Sequence, residues 1–212
     1  MSAPTLTPRL VAALADETSG ATGVVRQVID GLRELADDRD RLRATADLAA
    51  ARLPWCAPMW HVVRAAYAPD PRSALWSLRE RLDFDVDRSV ATAVKLLTER
   101  GCAVRTAPGS ALVSAVLDSL APPGPGTGVV GLAGADAVGP GAVLNIAGTR
   151  ELAVAVPTIV VATSVKLVPE DAFGRLGAPG FEAVPLGLFE AVVLDGEFLT
   201  PQQAGQRAAA LD

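Results

Sequence analysis

The 212-residue sequence contains few of the side chains that hold metals or form cross-links. It has 2 cysteines, Cys56 and Cys102, and 1 histidine, His61, and none of them lies in a ligand spacing. A small disulfide-bonded scaffold and a zinc site are both excluded, because each needs several such residues close together in the sequence. We therefore expect reduced cysteines in a cytoplasmic protein, with no bound metal and no other cofactor.

Long hydrophobic runs and basic clusters are also missing. The longest apolar run, residues 152–162, has 11 residues and contains Pro157, whereas a membrane-spanning helix needs roughly 20. The N-terminal segment MSAPTLTPRL holds no apolar signal core. The net charge is −5, with acidic and basic residues mixed along the chain, unlike the basic surface of a nucleic-acid-binding protein. Neither a membrane nor a nucleic acid is predicted as a partner.

The basic residues are almost all arginine. Of the 19 basic residues only 2, Lys95 and Lys166, are lysines. Together with the many alanines, this bias is typical of a bacterial protein from a GC-rich genome. Hydrophobic residues make up 50% of the chain, which is enough for one domain, or for a helical domain followed by a small α/β domain.

The first hundred residues follow a helical period. Apolar residues recur every three or four positions from Val24 to Leu35, and further helices are predicted near 6–14, 44–52, 59–67, 73–82 and 87–100. Asp87 is predicted to be the N-cap of the last of these helices. The larger aromatic side chains are expected in the core of this half: Trp55, Trp60 and Trp76. His61 is expected to be packed in a core or an interface.

The second half changes period. Short strands are predicted at 102–105, 129–133, 142–144, 158–162, 183–184 and 191–194, and helices at 110–120, from Thr149, and from Pro201 after the N-cap Thr200. The Pro- and Gly-rich segment 121–128 is predicted to be a linker or tight loop. We expect a helical domain over residues 1–100 and a compact Rossmann-like α/β domain, with a mainly parallel sheet, over 101–212.

Residues 129–155 hold the most informative pattern of the chain. An apolar run stops at Asp136, a Gly/Pro turn and a second apolar run follow, and Asn145 precedes a Gly148-Thr149 step that begins a helix. In α/β proteins, ligands bind beyond the carboxyl ends of the strands and close to helix N-termini. The pattern therefore places an acid, an amide and a helix start at one predicted edge of the sheet.

This pattern, GADAV, a turn, N-x-x-GT and a helix, resembles the core motif of the translation initiation factor 2B alpha/beta/delta family. That family includes methylthioribose-1-phosphate isomerase and ribose-1,5-bisphosphate isomerase. Four further segments resemble the family in the same order: 16–21, 58–60, 156–171 and 181–205. The resemblance implies the fold of the ribose-5-phosphate isomerase and coenzyme A transferase group and dimerisation through the α/β half. It also implies that Asp136 is the catalytic acid/base of an aldose–ketose isomerisation.

The sequence departs from the family at positions where the isomerases carry reactive or charged side chains. The family carries a T-H-[SC] loop after its first α/β strand. This sequence has Ala107 where that loop has the histidine, and Pro108 where it has the cysteine or serine. An arginine-bearing βα unit is missing, because Leu120 and Val129 are too close in sequence to hold one. The family motif N-K-x-G-T reads NIAGT at 145–149, without the lysine. These departures predict a shortened, divergent bacterial member.

Four residues between positions 136 and 149 have both a functional and a structural interpretation. Asp136 is a general acid/base, or it caps a turn. Asn145 binds a ligand hydroxyl, or it closes the turn before the helix. Gly148 and Thr149 cradle a phosphate, or they simply begin a helix.

Two residues outside this segment complete the candidate site. Ser110 would donate a hydrogen bond to a phosphate from the start of its own helix. Lys166 would neutralise a phosphate, or it is a solvated surface lysine.

Three functions remain open. The first is a divergent protein without the full isomerase machinery, which binds a phosphorylated sugar, a nucleotide or a partner protein. The second is an active aldose–ketose sugar-phosphate isomerase, and the third is a structural subunit of a hetero-oligomer. The missing residues favour the first. Because the helix after Thr149 ends before Pro157, we expect it to leave strand 158–162 partly uncovered, and we predict a homodimer or hetero-oligomer.

Overall fold

The computed structural model of the protein describes residues 6–16, 19–122 and 128–211. The chain divides into two compact units, residues 1–83 and 84–212. Residues 123–127 of the predicted linker and residues 17–18 of the 16–21 motif lie outside the described residues. The sequence-based domain boundary at residue 100 stays a prediction.

The first unit is built from α-helices. Their bounds are α1 Pro8–Leu14, α2 Ala21–Arg33, α3 Arg39–Arg52, α4 Pro58–Tyr67 and α5 Pro71–Arg100, the last of which continues into the second unit. Helix α2 buries Val24, Val28 and Leu32 on one face, as their spacing of four predicts. The charged run at 37–43 begins α3, because the Asp38 carboxylate accepts a hydrogen bond of 3.0 Å from the Arg41 backbone N–H.

Segment 71–100 forms one helix, where the sequence analysis expected two. Asp87 lies inside α5, so its predicted role as an N-cap is wrong. The physical reason is that no glycine or proline interrupts residues 72–100, and the chain therefore has nothing that would end the helix.

The aromatic residues lie at the periphery of the helical unit. Trp55 and Trp60 are half-buried, and the His61 ring lies edge-on to Trp60 at 4.8 Å. Trp76 is 47% exposed, and the Arg33 guanidinium lies 4.2 Å from its ring centre. The expectation of a tryptophan core is therefore wrong, because aliphatic side chains fill the interior of this unit.

The second unit contains two sheets. Its strands are β1 Ala103–Thr106, β2 Val129–Ala133, β3 Ala137–Val138, β4 Ala142–Ile146, β5 Thr158–Ala162, β6 Phe181–Pro185, β7 Ala191–Leu194 and β8 Glu197–Leu199. Besides the end of α5, its helices are α6 Ala111–Asp118, α7 Thr149–Ala155, α8 Glu170–Phe173 and α9 Pro201–Ala209. The larger sheet has the order β1-β2-β5-β7-β8, in which the first four strands are parallel and β8 is antiparallel. The predicted α/β fold with a mainly parallel sheet is confirmed.

Both faces of the larger sheet are covered. Ile159 and Val161 of β5 pack with residues of α5 and α6, whereas Val160 and Ala162 pack with residues of α9 and of the smaller sheet. Every residue of β5 is buried. The expectation that the short α7 leaves this strand uncovered is therefore wrong, since other elements shield it.

Strands β3, β4 and β6 form a separate antiparallel sheet. In this sheet Asn145 of β4 lies opposite Glu182 of β6. A bridge between Val138 and Leu167 joins the smaller sheet to the segment after β5, and the Val168 N–H donates a hydrogen bond of 3.0 Å to the Val138 carbonyl. The segments that follow β2 and β5 therefore run side by side.

Candidate functional site

Three polar residues follow adjacent parallel strands of the larger sheet. Asp136 follows β2, Lys166 follows β5 and Asp195 follows β7. The carboxyl ends of parallel strands meet at one edge of a sheet, which is where α/β proteins bind ligands. This carboxyl edge is the candidate functional site.

Asp136 and Lys166 form a largely buried pair. Lys166 lies in a 3₁₀ turn at Ser164–Lys166 and is only 4% exposed, so its interpretation as a solvated lysine is wrong. Its Nζ lies 3.9 Å from Oδ1 of Asp136, whose side chain is 25% exposed. Burial raises the pKa of the Asp136 carboxyl above its usual value, and the positive charge of Lys166 partly opposes that rise. The pair is an acid and an amine held close together without a short hydrogen bond between them.

The backbone fixes the loop that carries Asp136. The Asp136 N–H donates a hydrogen bond of 2.8 Å to the Leu144 carbonyl of β4. On the other side, the turn that carries Lys166 is held by Asp195, whose Oδ1 accepts a hydrogen bond of 2.8 Å from the Ser164 N–H. Sequence reasoning missed the role of Asp195, although an acid directly after the apolar strand β7 was a readable signal.

Ser110 lies at the same edge. It is the N-cap of α6, where its Oγ accepts a hydrogen bond of 3.3 Å from the Val113 N–H. A Cβ placed on Gly134 would lie 2.2 Å from this Oγ, so Ser110 packs directly against the backbone that leads from β2 to Asp136. The structure therefore brings Ser110 to the segment that carries the acid.

Asn145, Gly148 and Thr149 form a closed turn between β4 and α7. The Asn145 amide donates a hydrogen bond of 2.9 Å to Thr149 Oγ1, which in turn donates one of 2.8 Å to the Ile146 carbonyl. Both Asn145 and Thr149 are buried. Gly148 has a φ of 98°, a conformation that favours glycine. Their hydrogen bonds join these side chains to each other and to the backbone of the turn.

A carboxylate of the chain itself occupies the start of α7. Oε1 of Glu182 accepts a hydrogen bond of 2.9 Å from the Arg150 N–H, and Oε2 lies 3.7 Å from Arg150 Nε. A helix N-terminus attracts anions, and a phosphate at Gly148 and Thr149 would have to displace this carboxylate. Sequence reasoning missed Glu182, because its neighbour across the smaller sheet cannot be read from the sequence.

The loop after β1 adds no titratable group to the edge. Ala107 is buried and packs with Ala133 of β2 and Leu152 of α7. Pro108 follows it. The positions that the family resemblance assigns to a histidine and to a cysteine or serine are therefore filled by apolar side chains.

The helical unit contains a cavity of its own. It has a volume of about 630 Å³ and is lined by several charged residues and by Trp76. Its basic groups already have acidic partners, since Arg9 lies 3.3 Å from Glu34 and Arg33 lies 3.7 Å from Asp30. Because these arginines already form ion pairs, the volume of the cavity does not by itself make it a better phosphate-binding site than the carboxyl edge.

Within residues 6–16, 19–122 and 128–211, no three His, Cys, Asp or Glu side chains are grouped so as to hold a metal ion. Across the same ranges, no helix has the length and apolar character needed to cross a membrane. Neither Cys56 nor Cys102 is part of a disulfide bond.

Solved structures share this fold. Translation initiation factor eIF-2B from Pyrococcus horikoshii OT3 matches with a TM-score of 0.72 and 14% identity, over 93% of this chain and 99% of that one. The tetrameric eIF2B-beta2-delta2 complex from C. thermophilum contains a chain that matches with a TM-score of 0.69 and 16% identity, over 93% and 91%. The eIF2B beta of Chaetomium thermophilum matches with a TM-score of 0.66 and 17% identity, over 95% and 89%.

The chain has the fold of an eIF2B subunit. The sequence motifs predicted this fold, and the solved structures confirm it. No family model and no curated protein matches the sequence. At these low identities the likeness to eIF2B subunits extends to the fold alone, so the function rests on the residues at the carboxyl edge.

Proposed function

We propose that this protein binds a small phosphorylated ligand, a sugar phosphate or a nucleotide, at the carboxyl edge and lacks the full machinery of a sugar-phosphate isomerase. The buried lysine carries the proposal. Lys166 lies 3.9 Å from Asp136, and burial moves that carboxyl towards its neutral form. At 3.9 Å the two groups are too far apart for a direct hydrogen bond. Because a buried ammonium is costly unless it is both paired and hydrogen-bonded, a phosphate that contacts Nζ directly would stabilise it further.

The neighbouring groups suit a small ligand. Ser110 offers a hydroxyl from the start of α6, next to the backbone that leads to Asp136. The bonded pair Asn145 and Thr149 supports the turn between β4 and α7, and the buried Asn145 amide would have to leave Thr149 in order to contact a ligand hydroxyl. We infer that Gly148 serves this turn chiefly through its backbone conformation.

Calorimetric titration tests this proposal with ribose 5-phosphate and inorganic phosphate. We expect Lys166→Met to abolish measurable binding, because it removes the positive charge while keeping an apolar stem of similar length. Lys95→Met is the matched control, since Lys95 lies on α5 with a largely exposed side chain, and it should bind like the wild type. Thermal melts of both variants establish that they are folded. Unchanged binding by folded Lys166→Met contradicts the proposal.

The isomerase alternative lacks the proton-transfer group that the family resemblance assigns to the loop after β1. Asp136 supplies one, but Ala107 and Pro108 stand where the second would be. The loss of one general acid/base lowers a rate by about 10²- to 10⁴-fold. We therefore expect negligible turnover of methylthioribose-1-phosphate and ribose-1,5-bisphosphate in a coupled assay. Robust turnover by the wild type that disappears in Asp136→Asn would establish the isomerase instead.

We further propose that the chain is a cytoplasmic protein that works as a homodimer or as a subunit of a hetero-oligomer. The α/β unit exposes large apolar side chains, among them Val154 of α7 at 71% and Phe198 of β8. Exposed apolar surface of this kind marks interaction sites when it is contiguous. The similar chain from C. thermophilum was solved as part of a tetrameric complex, which supports an assembly for this fold.

A further inference from the structure

Position 166 holds a lysine in a chain whose basic residues are mostly arginine. Only 2 of the 19 basic residues are lysines. The other one, Lys95, has a side chain that is 77% exposed and lies 3.9 Å from Glu99, whereas Lys166 is buried. Arginine supplies a permanent charge and does not lose its proton, while the neutral amine of lysine is a nucleophile. A site that needed charge alone would be served by the arginine that this composition favours.

Asp136 places a proton donor and acceptor beside this amine. Its Oδ1 lies 3.9 Å from Lys166 Nζ, so an oxygen on a carbon bonded to Nζ would come within hydrogen-bonding reach of the carboxyl. Burial raises the pKa of Asp136, which moves the carboxyl towards the range in which acids exchange protons in catalysis. The partly exposed Asp136 side chain is also the side of the pair from which a small molecule can approach.

We propose that Lys166 forms a reversible imine with the carbonyl carbon of a small aldehyde or ketone, with Asp136 moving the protons. This inference rests on the proposed function, because the ligand would be the open-chain carbonyl form of a short phosphorylated sugar. The same amine either pairs with the phosphate of a ligand or reacts with its carbonyl group. Inorganic phosphate is therefore expected to compete with imine formation.

The reaction needs no oxidant and no cofactor. The Lys166 ammonium first passes one proton to the Asp136 carboxylate, which gives a neutral amine and a neutral carboxyl. The amine nitrogen then bonds to the carbonyl carbon, while the Asp136 carboxyl gives a proton to the oxygen and takes one from the nitrogen. The resulting carbinolamine loses its hydroxyl group as water after a second proton from Asp136, and the C=N bond forms. The remaining nitrogen proton returns to Asp136. One ammonium, one carboxylate and one carbonyl thus give one imine, one neutral Asp136 carboxyl and one water.

Reductive trapping on the wild-type chain tests the proposal. The protein is incubated with glyceraldehyde 3-phosphate and sodium cyanoborohydride, which reduces an imine to a stable secondary amine. Peptide mass spectrometry then gives the modified fraction at Lys166, at Lys95 and at the amino terminus over time. A buried lysine with only a structural role reacts more slowly than the exposed Lys95. We expect the opposite order, with Lys166 faster by about 10²-fold, the size of one general acid/base contribution.

Two variants and one analogue complete the experiment. Asp136→Asn should slow trapping at Lys166 by about 10²-fold and leave Lys95 unchanged, and Lys166→Arg should keep the charge but yield no adduct at this position. Glycerol 3-phosphate has no carbonyl group and reports binding alone. Trapping at Lys166 that is no faster than at Lys95, with glycerol 3-phosphate still bound, overturns the imine and leaves the proposed function intact. Failure to bind either compound overturns the proposed function itself.

Discussion

Gly134 permits the close approach of Ser110 to the segment that carries Asp136. A Cβ at this position would lie 2.2 Å from Ser110 Oγ and 2.6 Å from Ser110 Cβ, far inside normal contact distance. Gly134 has no positive φ, so Gly134→Ala tests the contact without adding backbone strain. Overpacking costs about 1–3 kcal/mol, and moving Ser110 away would lose an N-cap worth about 1 kcal/mol. We expect Gly134→Ala to lower the free energy of unfolding by about 2 kcal/mol.

Ser110→Gly is the matched second substitution, because it removes both atoms that clash. Glycine at an N-cap costs only about a few tenths of a kcal/mol relative to serine. In the double variant the alanine at position 134 gains the space that it needs, so we expect a coupling free energy of about 1–2 kcal/mol. Urea denaturation should be followed by far-UV circular dichroism, since every tryptophan lies in the first unit. A cost below about 0.5 kcal/mol for Gly134→Ala, or a strictly additive double variant, would refute the reasoning.

Two further predictions concern pH and assembly. Because burial raises the pKa of Asp136 in the folded state, the folded chain holds this proton more tightly than the unfolded chain. The group therefore lowers stability as pH rises from its unfolded pKa through its folded pKa. We expect the urea midpoint to fall less steeply with rising pH in Asp136→Asn than in the wild type. Parallel midpoint profiles of the two proteins would contradict this. Light scattering at tens of micromolar should give a dimer, or a larger complex with a co-expressed partner; a clean monomer under both conditions would count against the proposed assembly.

The periodicity of the sequence predicted most of the elements but not their limits where no residue marks an end. Thr158–Ala162 was predicted with its observed bounds. A short apolar run that is rich in β-branched residues and follows a proline is typical of a buried strand. The helix from Pro201 was predicted from its Thr200 cap, and the capping box with Gln203 confirms it. Helix α5 was predicted as two helices because Asp87 was read as an N-cap, although no glycine or proline interrupts residues 72–100.

The sequence predicted individual residues of the candidate site, but it did not predict which of them are in contact. Asp136 and Lys166 were each singled out from the residues that follow apolar strands, yet their proximity depends on β2 and β5 being neighbours in the sheet. Glu182 was missed because its role depends on the antiparallel register with Asn145. Contacts between residues far apart in sequence are set by topology, and local patterns carry little information about them.

The carboxylate of Glu182 gives the start of α7 an anionic partner that belongs to the chain itself. A helix start that relies on a bound phosphate loses that stabilisation when the free ligand becomes scarce, because stabilisation by binding depends on ligand concentration. Here the anion is tethered to the chain, and its effective concentration at the Arg150 N–H is constant. We therefore expect α7 to keep the same order whether or not a ligand occupies the carboxyl edge.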